Sequence, residues 1–212
     1  MWHNNGLSIT LLVLFVATLI GQTLTGWHTE NSDLNAHGRT PMELSMYLAS
    51  GHFLEVTMEN WESEFLQMFI YVVFTIFLFQ RGSSESKDPD RPDEPEPTVS
   101  EKSPKSARAT GLRHTLFANS MSLTFLGLFL ITFFLHAVGG VVQYNEEQSL
   151  HGESAISLLT YMCSSRFWFE SLQNWQSEFL SLLCMVVLSI FLRQRGSPES
   201  KPVTAPHAET GS

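Results

Sequence analysis

Cysteine is nearly missing from this 212-residue chain, which has two, Cys163 and Cys184. One is expected in a loop and the other inside an apolar helix. At such different depths they are not a disulfide pair, and no metal-ligand spacing of cysteines exists. Charge is also scarce, at 16% of residues, and lopsided: 12 Lys and Arg stand against 21 Asp and Glu. With a formal net charge of −9 and no basic cluster, the chain has no surface suited to nucleic acid. It also lacks a His-Glu-x-x-His, a nucleophile elbow, a P-loop and a dinucleotide fingerprint. Nothing in the sequence calls for an enzyme, a metal or a cofactor.

The missing charge has a pattern. Four stretches hold two charges at most and are otherwise largely apolar: about Leu7–Trp27, Trp61–Phe79, Leu116–Gln143 and Trp175–Leu192. A buried helix of a soluble protein would show a charged face. A bilayer core of about 30 Å takes roughly 20 helical residues, and each stretch reaches that once its interfacial aromatics are counted. Four transmembrane helices are therefore expected. A secretory signal is disfavoured for the first, because no basic residues precede the apolar run and no small-x-small cleavage site follows it.

Sliding the chain on itself gives one dominant register. Asn60-Trp61-Glu62-Ser63-Glu64-Phe65-Leu66 matches Asn174-Trp175-Gln176-Ser177-Glu178-Phe179-Leu180, an offset of 114 (175 − 61). At the same offset Gln80-Arg81-Gly82-Ser83-Ser84-Glu85-Ser86-Lys87 matches Gln194-Arg195-Gly196-Ser197-Pro198-Glu199-Ser200-Lys201. Without a gap, His37-Gly38 pairs with His151-Gly152, Tyr47 with Tyr161 and Phe53 with Phe167; about two-fifths of positions from Asn5 to Lys87 are identical to their partners. Each unit reads helix, loop, helix. An even number of spans brings both copies into the membrane from one side, so the repeats are parallel about an axis along the membrane normal. The expected fold is all-α: an integral membrane four-helix bundle of two parallel two-helix repeats. Its divisions are 1–82 (first repeat), 83–110 (linker), 111–201 (second repeat) and 202–212 (tail).

Basic residues set the sidedness. Arg81, Lys87, Arg193, Arg195 and Lys201 follow the second and fourth spans, and Arg113 precedes the third, whereas the other two loops carry only Arg39 and Arg166. Both termini and the linker are thus expected in the cytoplasm. Trp61 and Trp175 are expected as interfacial anchors, with Arg81, Arg193 and Arg195 snorkelling at the inner ends. The linker has five prolines and hardly an apolar residue, and the tail is similar; neither can bury enough surface to offset chain entropy, so both are expected to be disordered. Thr40-Pro41-Met42-Glu43 reads as a capping box that opens a short interfacial helix through Leu44, Tyr47 and Leu48, with Gly51 at its end. The second copy repeats it through Ile156, Leu159 and Tyr161. Beside glycine, His37 and His151 fit turns.

Glu64 and Glu178 most need explaining. Glu64 lies 15 residues from Phe79, about 22 Å along a helix and so within the outer part of the bilayer core. Glu178 matches it. One reading starts the helices at Asn60 and Asn174 as N-caps, with the glutamates in a favourable first turn. The other makes them a coupled pair inside the membrane, suited to a proton or cation. Ser63, Ser177, Gln67 and His136 are polar neighbours that would serve interhelical hydrogen bonding as well as a hydrated path. His52, Glu55 and Glu59 share a helix face, but their counterparts Arg166, Phe169 and Gln173 could not bind a metal in the second copy.

The duplicated Asn-Trp-x-Ser-Glu-Phe-Leu and Gln-Arg-Gly-Ser-x-Glu-Ser-Lys segments, with Tyr144-Asn145-Glu146-Glu147-Gln148 and His151-Gly152, resemble a family of uncharacterised bacterial four-helix integral membrane proteins classed as a domain of unknown function. The resemblance covers nearly all of the chain except the linker. It implies a multi-pass place in the bacterial inner membrane, and it supplies no activity, ligand or catalytic residue. The expected partners are the lipid bilayer and a second copy or another membrane protein, with no nucleic acid. The expected role is a non-enzymatic bundle that acts by self- or partner assembly; the alternative is a small proton or cation channel or carrier using Glu64 and Glu178.

Overall fold

The computed structural model describes residues 2–91 and 97–211. Among them the chain is all-helical, without a strand. In order come α1 (Trp2–Ala36), α2 (Leu44–Tyr47), α3 (Gly51–Phe77), α4 (Leu112–Ala118), α5 (Ser120–Leu150), α6 (Leu158–Met162) and α7 (Ser165–Phe191). Among the described residues three helices, α1, α5 and α7, are long and apolar enough to cross a membrane. Helix is the form that such runs take because each backbone group then bonds within its own segment. The fourth expected span lies in α3, whose Glu55, Glu59, Glu62 and Glu64 set it apart from these three. Part of the expected linker, residues 92–96, lies outside the described residues, as does Ser212 of the tail.

Helix bounds recur at the spacing of the sequence repeat. The ends of α1 and α5, the starts of α2 and α6, and the starts of α3 and α7 are each 114 residues apart (150 − 36, 158 − 44, 165 − 51). Both α1 and α5 end in the same turn. Gly38 (φ 70°) and Gly152 (φ 74°) adopt the left-handed conformation that glycine tolerates, Arg39 N–H reaches back to Leu34 O at 2.9 Å, and Glu153 N–H to Gln148 O at 2.9 Å.

Three local expectations need correcting. Both α3 and α7 begin nine residues before Asn60 and Asn174, so these asparagines sit inside helices and cap nothing. Glu43 stands at the N-cap of α2 without a side-chain capping bond, so no capping box forms there; in the second copy Ser157 does cap α6, accepting from Thr160 N–H at 3.2 Å. Gly51 opens α3 instead of closing α2, because a close approach demands it: a Cβ there would lie 2.7 Å from Gln143 N and 2.9 Å from Gly139 O. At Gly139 a Cβ would meet Glu55 N at 2.5 Å. Small residues let the two backbones approach in this way.

The chain divides into two compact units. Unit 1 holds residues 1–58 and 134–167, and repeats one cap arrangement twice. Asn31 and Asn145 each clamp the loop eleven residues on. Asn31 Oδ1 accepts from Met42 N–H (2.7 Å) while its Nδ2 donates to Met42 O (3.1 Å); Asn145 does the same with Ile156 (2.8 and 3.0 Å). Tyr47 and Tyr161, both buried, pack edge-on against Phe53 and Phe167, with centroids 5.6 Å apart in each pair. Their hydroxyls press on Gly26 and Gly140, where a Cβ would lie 2.2 and 2.3 Å from them.

Unit 2 holds residues 59–133 and 168–212. Within it α3 and α7 run parallel and in register: Glu59 accepts from Asn174 Nδ2, Glu62 Oε1 from Trp175 Nε1 at 3.2 Å, and Gln67 Nε2 donates to Ser181 Oγ at 2.7 Å and Glu178 O at 2.8 Å. Gln67 and Ser181 are 114 residues apart, the offset seen in the sequence. Trp175 also stacks with Phe129, Phe133 and Trp168 at 6.0–6.3 Å, which ties the start of α5 to α7. The Gln-Arg-Gly-Ser-x-Glu-Ser-Lys ends form one turn twice over. Ser86 Oγ accepts from Gln80 N–H (2.8 Å) and Ser200 Oγ from Gln194 N–H (2.9 Å), around Gly82 (φ 85°) and Gly196 (φ 82°). The tail from Pro202 returns along the first of these turns, where Thr210 Oγ1 accepts from Gly82 N–H and Gly211 N–H reaches Ser83 O.

Candidate functional site

Polar groups are buried here while apolar ones are exposed. Glu62 and His136 are fully buried, and Glu55, Thr57, Ser63 and Gln67 are nearly so, whereas Leu11, Leu12, Val13, Leu14 and Phe15 on α1 are exposed. In water this would be an inverted protein; in hydrocarbon it is the stable arrangement, because polar side chains find partners only inside.

The α3–α7 seam of unit 2 gathers most of the residues singled out from sequence. Ser63 is buried, its hydroxyl donating to Asn60 O at 2.8 Å, and Ser177 repeats that bond to Asn174 O at 2.8 Å. Gln67 is buried and bonded across the seam, and Asn174 and Trp175 are half-buried. Asn60 and Glu64 are exposed; Glu178 is half-buried and within electrostatic reach of Glu64. At the far end Arg81 pairs with Asp90 (2.8 Å), and Arg193 donates to Leu192 O (2.7 Å) and Ala205 O (3.1 Å). Arg195 is exposed, and Trp61 is half-buried. His136 belongs to unit 1, where its ring lies 5.0 Å from that of Phe167.

Two acids outside the site expected from sequence are more enclosed than Glu64. Glu62 accepts from Trp175 Nε1 on the seam. Glu55, in unit 1, accepts from Tyr161 Oη at 3.1 Å, and one of its oxygens lies within 4.8 Å of a His136 ring nitrogen. Neither has an acidic counterpart, since Gln176 and Phe169 stand at the matching positions. The sequence therefore gives Glu62 no matched partner to mark it, and marks Glu55 only through the face it shares with His52 and Glu59. Their spacing of seven residues, which puts both on one face of α3, was the available signal. His52, which shares a helix face with Glu55 and Glu59 in the sequence, instead faces Tyr47 Oη (3.2 Å) and Glu30 (3.9 Å). Cys163 and Cys184 are both free and exposed.

These features define a class: an all-helical chain that hides carboxylates, an imidazole and amides and presents membrane-length apolar helices. The family follows from comparison. Residues 1–212 match the domain of unknown function DUF6766, and the chain belongs to that family. Neither the curated proteins nor the solved structures contain a match.

Proposed function

We propose that this is a non-enzymatic, four-span protein of the bacterial inner membrane that works by assembling, with itself or with another membrane protein, through the outer face of its α3–α7 seam. One observation carries the reading: Glu64 is exposed on a helix whose continuation toward Phe77 is apolar. A carboxylate at that depth is costly against lipid and needs a polar cover. Asn60, one turn before it on α3, and Gln173, Ser177 and Ser181 on α7 are exposed as well. Small and polar side chains of this kind mediate helix–helix association in membranes. The coinciding helix bounds support the duplicated, parallel arrangement.

The test is cross-linking in native membranes from Glu64→Cys, in a chain whose own cysteines are replaced by serine. Assembly predicts a cross-linked species at position 64 and none at Leu12→Cys on α1. A thiol at position 64 that a water-soluble maleimide labels fully, without any cross-link, would overturn the proposal. The electrostatic reach between Glu64 and Glu178 favours a second reading, a proton or cation path. Proteoliposome flux abolished by Glu64→Gln with Glu178→Gln would establish that path; no flux, or flux unchanged in the double variant, would sink it.

A further inference from the structure

Unit 1 holds a half-open cavity of about 510 Å³ between the ends of α1 and α5, within the range of small-molecule sites. Its lining includes Glu30, Asp33, Gln143, Glu147 and Arg166. Arg166 is already neutralised: it holds Glu147 through two guanidinium nitrogens, at 2.5 and 3.1 Å, and lies 5.5 Å over the Tyr144 ring. Arg166 therefore offers no further charge to the other acids of the lining, Asp33 and Glu30, the second of which faces His52 at 3.9 Å. Hydrogen-bond capacity points the same way. His37 Nδ1 lies 2.8 Å from Asp33 O; a carbonyl only accepts, so that nitrogen donates. Gln143 is 8% exposed, its Nε2 reaches Glu147 Oε1 at 3.4 Å, and its Oε1 is buried without a hydrogen-bond partner. Such an orphaned acceptor is costly and marks a place where a donor belongs.

We infer that this cavity binds a small organic cation bearing ammonium groups, such as an alkyl diamine. An ammonium offers three donors and a positive charge to carboxylates and an amide oxygen. A bare divalent ion fits less well, because its ligands must converge to about 2.0–2.6 Å, and the acceptors here are spread around a space many times larger. This site is separate from the α3–α7 seam and does not depend on the assembly proposal.

The experiment is calorimetric titration of the full-length protein in detergent with 1,4-diaminobutane, at about 0.15 M salt to screen non-specific attraction. One saturable site is expected. Asp33→Asn, at an exposed position that the fold does not need, should weaken binding at least tenfold. Gln143→Leu should do the same provided its thermal transition is intact, and Glu153→Gln, an acid outside the lining, should leave the affinity unchanged. 1,4-Butanediol should not bind. Absence of a saturable heat, equal affinity in Asp33→Asn, or binding of the diol would overturn the inference. Equal or tighter binding of magnesium ion that displaces the diamine would replace the organic cation with a metal and overturn it as well.

Discussion

Gly26 and Gly140 face the same tyrosine hydroxyl in the two copies, but not with the same room to spare. Beyond the hydroxyl, a Cβ at Gly26 would next meet Tyr47 Cζ at 3.2 Å, whereas one at Gly140 would meet Tyr161 ring carbons at 2.6 and 2.7 Å. Gly26→Ala and Gly140→Ala should each destabilise by about 1–3 kcal/mol through overpacking. Adding Tyr47→Phe should recover most of the first loss, because the offending oxygen is gone. Adding Tyr161→Phe should not recover the second, because the ring still collides. Thermal unfolding in detergent of the four variants reads this out, and equal rescue in both copies would contradict it. A second residue-scale test concerns Glu62. Trp175→Phe removes its indole hydrogen bond and should cost about 0.5–1.5 kcal/mol, the net range for a single intramolecular hydrogen bond, read by thermal unfolding in detergent. The identical residues of the repeat were legible in the sequence, and Tyr47, Phe53 and their partners do form matched contacts. Burial of Glu55 and Glu62 was not legible, since the fate of an unmatched acid depends on which helix face turns inward.

Among the elements, the caps of unit 1 show what a short loop needs. Asn31 and Asn145 satisfy both polar groups of Met42 and Ile156 in loops that have no ladder or helix to do so. Asn31→Ala leaves the Met42 N–H unsatisfied while Trp27 Nε1 still donates to Met42 O at 2.8 Å, whereas Asn145→Ala removes the bonds to both groups of Ile156; each should cost about 1–3 kcal/mol, the second more. Hydrogen exchange should speed up at the Met42 or Ile156 amide of the altered copy alone. This clamp was hidden in the sequence, because an asparagine eleven residues upstream fits no capping spacing. The expected capping box at Thr40–Glu43 was a spacing match without the geometry. Element starts were similarly hard to read: α3 and α7 begin ten residues before their apolar runs, because burial of Glu55 and Ser171 lets polar sequence continue the helix. At the C-terminal end of α5, three residues beyond the apolar run, burial foremost and the Glu30 charge next push Glu146 above its ordinary pKa of 4.5, while Arg39 pulls it down. A carboxyl whose folded-state pKa is raised stabilises the fold in its protonated form. That contribution is complete below the ordinary value and is lost as pH rises through the raised one. Protection factors, taken against the intrinsic exchange rate at each pH, should rise on acidification from pH 7 toward 5 where α1 and α5 end, and Glu146→Gln should flatten the response. Protection that falls on acidification would contradict it.

At the scale of the molecule, the sequence carries the helical class and the three longest apolar helices plainly, since unbroken apolar runs of bilayer length leave few alternatives. The offset of 114 read from the sequence recurs at the ends of α1 and α5, the starts of α2 and α6 and both bounds of α3 and α7, but not at the start of α5 or in α4. What it conceals is how much of α3 is acidic yet enclosed, and that a cavity lies between the ends of α1 and α5 in unit 1. The proposed architecture is two parallel hairpins, each crossing the membrane twice. Single cysteines placed by His37→Cys, His151→Cys, Asp90→Cys or His207→Cys, with Cys163 and Cys184 changed to serine, test this directly with a membrane-impermeant maleimide. Positions 37 and 151 should label in intact spheroplasts, and positions 90 and 207 only after permeabilisation. Labelling of position 90 in intact spheroplasts, or of 37 and 151 from opposite sides, would contradict the parallel four-span arrangement.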